Sequence, residues 1–247
     1  MPFQTSVNAY LAPGVVGGWA SSNPYVSLVQ PNNGDLSVPT SGSWKVSPDG
    51  AVIGNFAFAD VVTGLASNIN PGTGALFSST AAGRIRVGFV QRDQVSLITQ
   101  YLGEDTLAVQ PGFGISLISS GDVWAKFAAG AAVGSFVFAS YADGAPVAGS
   151  SSTAPTTTVT ADVTSGSANL ANVSGALYPG QPISGTGIPA GTYVVSYDAA
   201  AGTAVMSANG SATNAGVTVT VTTAAPTPWR VDSLAGAGEI AKISVWG

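Results

Sequence analysis

GNFAFAD (residues 54–60) decides the fold class: two Phe in a short stretch closed by Gly and Asp read as a β-strand. RIRVGFV (84–90), ISLIS (115–119), DVWAKF (122–127) and SFVFASY (135–141) have the same character, short, rich in aromatic or β-branched residues, and bounded by turn formers. Asp143-Gly144 follows the last of them, the dipeptide that type I′ hairpin turns prefer. Residues 93–102 fit a helix through Val95, Ile98 and Leu102, and a strand through Val95, Leu97, Thr99 and Tyr101; strand is preferred. The first 50 residues are punctuated by Pro and Gly, and they read as an extended arm with a few anchors.

Composition narrows function before any motif does. The 247 residues contain no His and no Cys, with seven Lys or Arg and twelve Asp or Glu. General-base catalysis at neutral pH, zinc ligation, thiol nucleophiles and disulfides all lean on the two missing residues. No enzyme, metal site or cofactor is therefore expected. At 45% hydrophobic the chain should fold, since disordered chains are rich in charge and poor in apolar residues. A net charge of −5 argues against a nucleic-acid partner, which needs a basic surface. No window supplies the roughly 18 uninterrupted apolar residues of a membrane helix, and the N-terminus lacks the charged start of a secretory signal.

Texture changes along the chain. All nine Phe precede residue 150, no Trp falls between Trp124 and Trp229, and no Lys or Arg falls between Lys126 and Arg230. Residues 153–227 hold fifteen threonines, and AGSSSTAPTTT and TTAAPTP at their ends read as exposed linkers. These observations suggest a parent domain of residues 1–151 plus 228–247, with an insert at 152–227. The parent is expected to be all-β, barrel- or jelly-roll-like. TTVTADV, GTYVVSYD, GTAVMSA and GVTVTVTT make the insert a small β-sandwich or barrel. Glu239 to Trp246 reads as a strand completed within the parent, with Ala241, Ile243 and Val245 on one face.

Few residues invite a functional role. Glu104 and Asp105 are the one adjacent carboxylate pair offered for acid–base work, but neighbours on a strand face opposite ways, so they read as a solvated turn. Gly185-Thr-Gly187 with Gly191 lacks the helix and Lys of a phosphate loop, and is turn chemistry. Asn172-Val-Ser174 and Asn209-Gly-Ser211 match the glycosylation pattern without a secretion signal. Arg84 and Arg86 share a strand face, placed either to meet carboxylates on a partner or to protect a sheet edge. Trp19, Tyr25 and Trp44 sit on the arm, either as core anchors or as interface anchors. In the insert, Tyr178, Tyr193 and Tyr197 with Asp162 and Asp198 offer a thin glycan- or receptor-binding alternative.

Three stretches carry a resemblance. APGVVGGWASSNPYVSLV (12–29), residues 87–127 running on into FASYADGAPVAG (138–149), and WRVDSLAGAGEIAKISVW (229–246) are similar, in this order, to the start, core and closing strand of the structural cement, or head-decoration, proteins of tailed bacteriophages. GQPISGTGIPAGTYVVSYD (180–198) resembles a β-module that recurs in phage structural proteins. The resemblance implies a virion protein made in the host cytoplasm. It would sit on the outer capsid surface, bridge neighbouring major capsid proteins, and act as a homo-oligomer, dimer or trimer, without catalysis.

Overall fold

The structure is a computed structural model that describes residues 14–28, 44–74, 76, 83–92 and 107–245, and among these every regular element is a strand. The Glu104-Asp105 pair, the ambiguous 93–102 segment and Trp246 lie outside the described residues.

Strands β1 (Val26–Ser27), β2 (Trp44–Val46), β3 (Ala51–Val52), β4 (Phe56–Asp60), β5 (Leu65–Ser67) and β6 (Ile85–Val90) come first. They are followed by β7 (Ala108–Val109), β8 (Gly114–Ile115), β9 (Leu117–Lys126), β10 (Phe136–Ser140) and β11 (Pro146–Gly149). Next come β12 (Thr156–Val163), β13 (Asn169–Ser174), β14 (Ile183–Gly185), β15 (Val194–Asp198), β16 (Thr203–Met206) and β17 (Asn214–Thr222). The chain closes with β18 (Ala224–Val231) and β19 (Ile240–Val245).

The larger sheet runs β11-β10-β18-β19-β9-β6-β4-β5-β2-β8, with β1 on β9, while β3 and β7 pair separately. Its far end curls into a ring. Ile115 pairs with Trp44 of β2, and two residues later Leu117 pairs with Val90 of β6. One run of chain thereby closes β6, β4, β5 and β2 around Trp44, Val46, Ala57, Ala59, Val90 and Leu117.

β4 shows why GNFAFAD folds as it does. Successive strand side chains point to opposite faces. Phe56 and Phe58 enter one core with Phe89, Trp229 and Ile243, and Ala57 and Ala59 enter the ring. All five residues of β4 are buried, so the strand is a wall shared by two cores. Its large side chains face one core and its small ones the other. Phe56 meets Phe89 edge-on, with centroids 5.4 Å apart, and Phe58 stacks on Tyr141 at 5.4 Å.

β19 occupies the middle of this sheet between β18 and β9, with Ala241 and Ile243 fully buried, as the C-terminal sequence predicts. Four expectations need correction. ISLIS and DVWAKF are not separate strands, because the break falls at Ser116 and residues 117–126 form one strand through Gly121. TTAAPTP is not a linker: Ala224 and Ala225 are buried in β18, paired with β10. Pro226 and Pro228 lack N–H donors. The strand accommodates them with a bulge and with the Thr227 hydroxyl, which donates to Val137 O at 2.5 Å. The arm does not extend to residue 50, since Trp44–Val46 lines the ring. The Asp143-Gly144 turn is not type I′, which needs positive φ at two residues, and here only Gly144 has it.

The second sheet contains only residues of β12 to β17, in the order β14-β17-β12-β13-β16-β15. Its end strands also meet, because Ile183 N donates to Thr192 O at 3.0 Å and Val194 N to Gln181 O at 2.9 Å. It is therefore a closed barrel. Val159, Ala161 and Val163 alternate inward against outward Thr158 and Thr160, and Val217, Val219 and Val221 do the same against Thr218 and Thr220. β13 and β14 escape sequence reading because their apolar alternation is too short.

Candidate interaction surface

Residues 14–28 lie along β9. Gly17 N donates to Trp124 O (2.8 Å), Trp124 N to Gly18 O (3.0 Å) and Ala20 N to Asp122 O (3.0 Å). Trp19 bridges Val123, whose other edge is taken by Ile243 of β19. Further along, Ser27 faces Ile118, whose other edge is taken by Phe89 of β6. Since β19 and β6 flank β9 on opposite sides, the arm begins on the β6 side and ends on the β19 side. It crosses over β9 at Gly121.

The crossing needs a glycine. Gly121 has φ +134°, which L side chains rarely adopt, and an added Cβ would lie 3.0 Å from the Tyr25 Cβ and 3.5 Å from the Trp19 ring. The next residue, Asp122, is 1% exposed, and its Oδ2 accepts from Ser21 Oγ (2.5 Å) and Asn23 Nδ2 (2.9 Å) of the arm. Lys242 Nζ of β19 lies 3.1 Å from the same oxygen and 3.6 Å from Asp232. Burial pushes the Asp122 carboxyl up, but the hydrogen bonds from Ser21, Lys242 and Asn23, with the Lys242 charge, hold it below its ordinary value.

The arm shows solvent a mixed surface, with Val15, Pro24, Tyr25 and Val26 exposed beside Ser22, Asn23 and Ser27. Trp19 packs against the larger core and Tyr25 lies on it, with ring centroids 4.3 Å apart. Tyr25 remains 54% exposed, Val26 57% and Val15 54%. The other residues singled out in the sequence lie elsewhere. Trp44 is fully buried in the ring, with its indole donating to Leu28 O at 2.5 Å. Arg84 makes a two-point pair with Asp60, Nε to Oδ1 and Nη2 to Oδ2, both at 2.6 Å. Burial raises the Asp60 pKa, yet the bond from Arg84 and those from Val62 and Thr63 leave it lowered. Arg86 faces Ala59 across the β4–β6 ladder.

The barrel tyrosines have separate partners. Tyr178 packs on the larger core, and Tyr197 packs on the barrel core and donates its hydroxyl to Gly175 O at 2.8 Å. Asp162 is engaged by Gly216 N and Asn172 Nδ2, which lower its pKa. Gly185 ends β14, paired with Val219 of β17, and Gly187 and Gly191 lie in the turns that follow.

Sequence reasoning passed over Asp122, Asp60, Ser21, Asn23 and Lys242. One signal was available: in a chain this poor in charge, an Asp inside the strand DVWAKF must find partners or pay for burial. Also overlooked is an open cleft of about 290 Å³ among Ala131, Ala148, Gly149 and Ala235, rimmed by Leu234, which is 77% exposed.

Among the described residues no three His, Cys, Asp or Glu side chains group as metal ligands, and no helix is long and apolar enough to cross a membrane. Fold and surface thus define a β-scaffold that carries a pinned arm with exposed apolar side chains. The XM1 gp53 minor capsid protein family model matches residues 3–177, most of the 247, and the chain belongs to that family. It is a phage capsid-associated protein and a structural component of the virion. The match covers the arm, the ring and the barrel as far as β13. No curated protein matches the chain.

Proposed function

We propose that the protein is a cement protein, which docks as a homo-oligomer on the outside of the assembled head and bridges neighbouring major capsid proteins. Binding the shell but not separated subunits stabilises the shell by mass action, with no turnover. The observation that carries this is the arm: Tyr25 and Val26 stand more than half exposed on a backbone hydrogen-bonded to the sheet, as interface anchors require. Membership of a minor capsid family supports it. A net charge of −5 supports the outer face, because packaged nucleic acid repels an acidic protein.

The test is a mutant pair. Tyr25→Ala should weaken attachment to heads about thirtyfold, the effect of losing a 2 kcal/mol hot spot, while leaving the free protein's melting temperature nearly unchanged. Trp44→Ala should do the reverse, lowering the free protein's stability first. Wild-type attachment by Tyr25→Ala overturns the arm as the docking element.

The barrel of β12 to β17 is proposed to be an inserted folding unit. Its ends are joined, since Thr223 N and Thr223 Oγ1 donate to Pro155 O at 2.9 and 3.0 Å, and sheet membership changes on either side of that contact.

A further inference from the structure

We infer that Asp122 is the positioning residue for capsid attachment: by holding Ser21 and Asn23 beside Lys242, it locks the arm's crossover and so presents Tyr25 and Val26 in one arrangement. This rests on the proposal that the arm docks on the shell.

The geometry gives Asp122 this role through its place beside the crossing. Backbone bonds hold the arm on one side of Gly121 through Gly17, Gly18 and Ala20, and on the other through Leu28. Between them, Ser21 and Asn23 are tied to β9 by their side chains, and both ties end on one oxygen, Asp122 Oδ2. The same oxygen faces Lys242, so the lock reaches β19 as well. Removing the charge weakens both arm ties and leaves Lys242 with the more distant Asp232. A free arm samples many arrangements and must be ordered on docking, whereas a locked one is already ordered. Asp122 itself is covered and touches no shell.

The experiment compares Asp122→Asn with wild type in three readouts. In the free protein, hydrogen exchange at the Gly17, Ala20 and Leu28 amides should quicken by an order of magnitude or more, with the Ile243 and Phe58 amides unchanged. Attachment to heads should weaken about tenfold. The third readout separates positioning from general damage. Val26 and Ser120 are Cα partners across an antiparallel pair, a spacing that a disulfide spans. Val26→Cys with Ser120→Cys, added to Asp122→Asn, gives the chain its only two thiols. Since Val26 is itself a proposed anchor, attachment is read against the same cysteine pair with Asp122 retained: oxidation should bring the two proteins level, and reduction should set them apart again. Unchanged arm exchange in Asp122→Asn overturns the lock. A loosened arm with undiminished attachment, or with no recovery on oxidation, overturns the positioning role while Tyr25→Ala still weakens attachment. If Tyr25→Ala is silent too, the docking proposal itself has failed.

Discussion

The larger sheet and the barrel are both β structures, built from different residue types by different means. The barrel has one core, filled by aliphatic side chains without Trp, Phe, Lys or Arg, and in β12 and β17 inward Val and Ala alternate with outward Thr. In the larger sheet, β4 and β6 are buried on both faces, aromatic rings carry much of the packing, and two buried carboxylates are paired with bases. A one-sided strand needs only the right period. A wall between two cores also needs the right volume at each position, so the larger sheet should be less tolerant of substitution.

The largest effect is expected from removing β19. Truncation after Gly238 takes Ala241 and Ile243 out of the middle of the sheet and strips β18 and β9 of a neighbour. Buried apolar side chains are worth about 1.5–3 kcal/mol each, against a total stability of roughly 5–15 kcal/mol. The larger sheet should unfold while the barrel keeps its β signal. An unchanged melting curve contradicts the topology.

Single core substitutions should rank in the same order. Trp229→Ala, which removes the ring set against Phe56 and Phe89, should cost about 3–5 kcal/mol. Val219→Ala, fully buried in the barrel, should cost about 1.5–3 kcal/mol. Urea unfolding of the two variants checks the difference, and equal costs would dissolve the comparison.

Excising residues 156–222 and joining Pro155 to Thr223 tests the insertion directly. The larger sheet should remain folded, losing about 1–3 kcal/mol from the Tyr178 contact with its core. Aggregation of the shortened chain together with an unfolded isolated barrel would show that the two sheets form one cooperative unit.

Acid should separate them most gently. Asp60 and Asp122 have lowered folded-state pKa values, so their contribution is complete above the unfolded value of about 3.9 and is lost as pH falls through the lower folded one. Asp162 in the barrel is lowered as well, but it is exposed and its share is screened. Between pH 5 and pH 3 the larger sheet should therefore lose more stability than the barrel. Parallel loss in both, followed by tryptophan fluorescence, to which the Trp-free barrel does not contribute, and by the exchange of barrel amides, would refute this.

Legibility in the sequence follows the same division. GVTVTVTT announces its strand because period and burial coincide on one face. GNFAFAD announces a strand too, though the sequence does not reveal that its alanines face a second core, because small residues are common on exposed faces as well. β18 is hidden in the sequence because Pro226 and Pro228 argue against a strand, and the Thr227 hydroxyl that compensates is a contact across ninety residues. The arm's aromatics were legible as anchors. Which of them faces water depends on the crossing at Gly121 and the lock at Asp122, both products of long-range pairing.

The cement role is tested most directly on the particle. Heads assembled with and without the protein would be heated together, and DNA release followed against temperature. Release should shift to higher temperature when wild-type protein is bound, and Tyr25→Ala should forfeit most of the shift at the same protein concentration. Coincident release curves with the site occupied by wild-type protein would contradict the role.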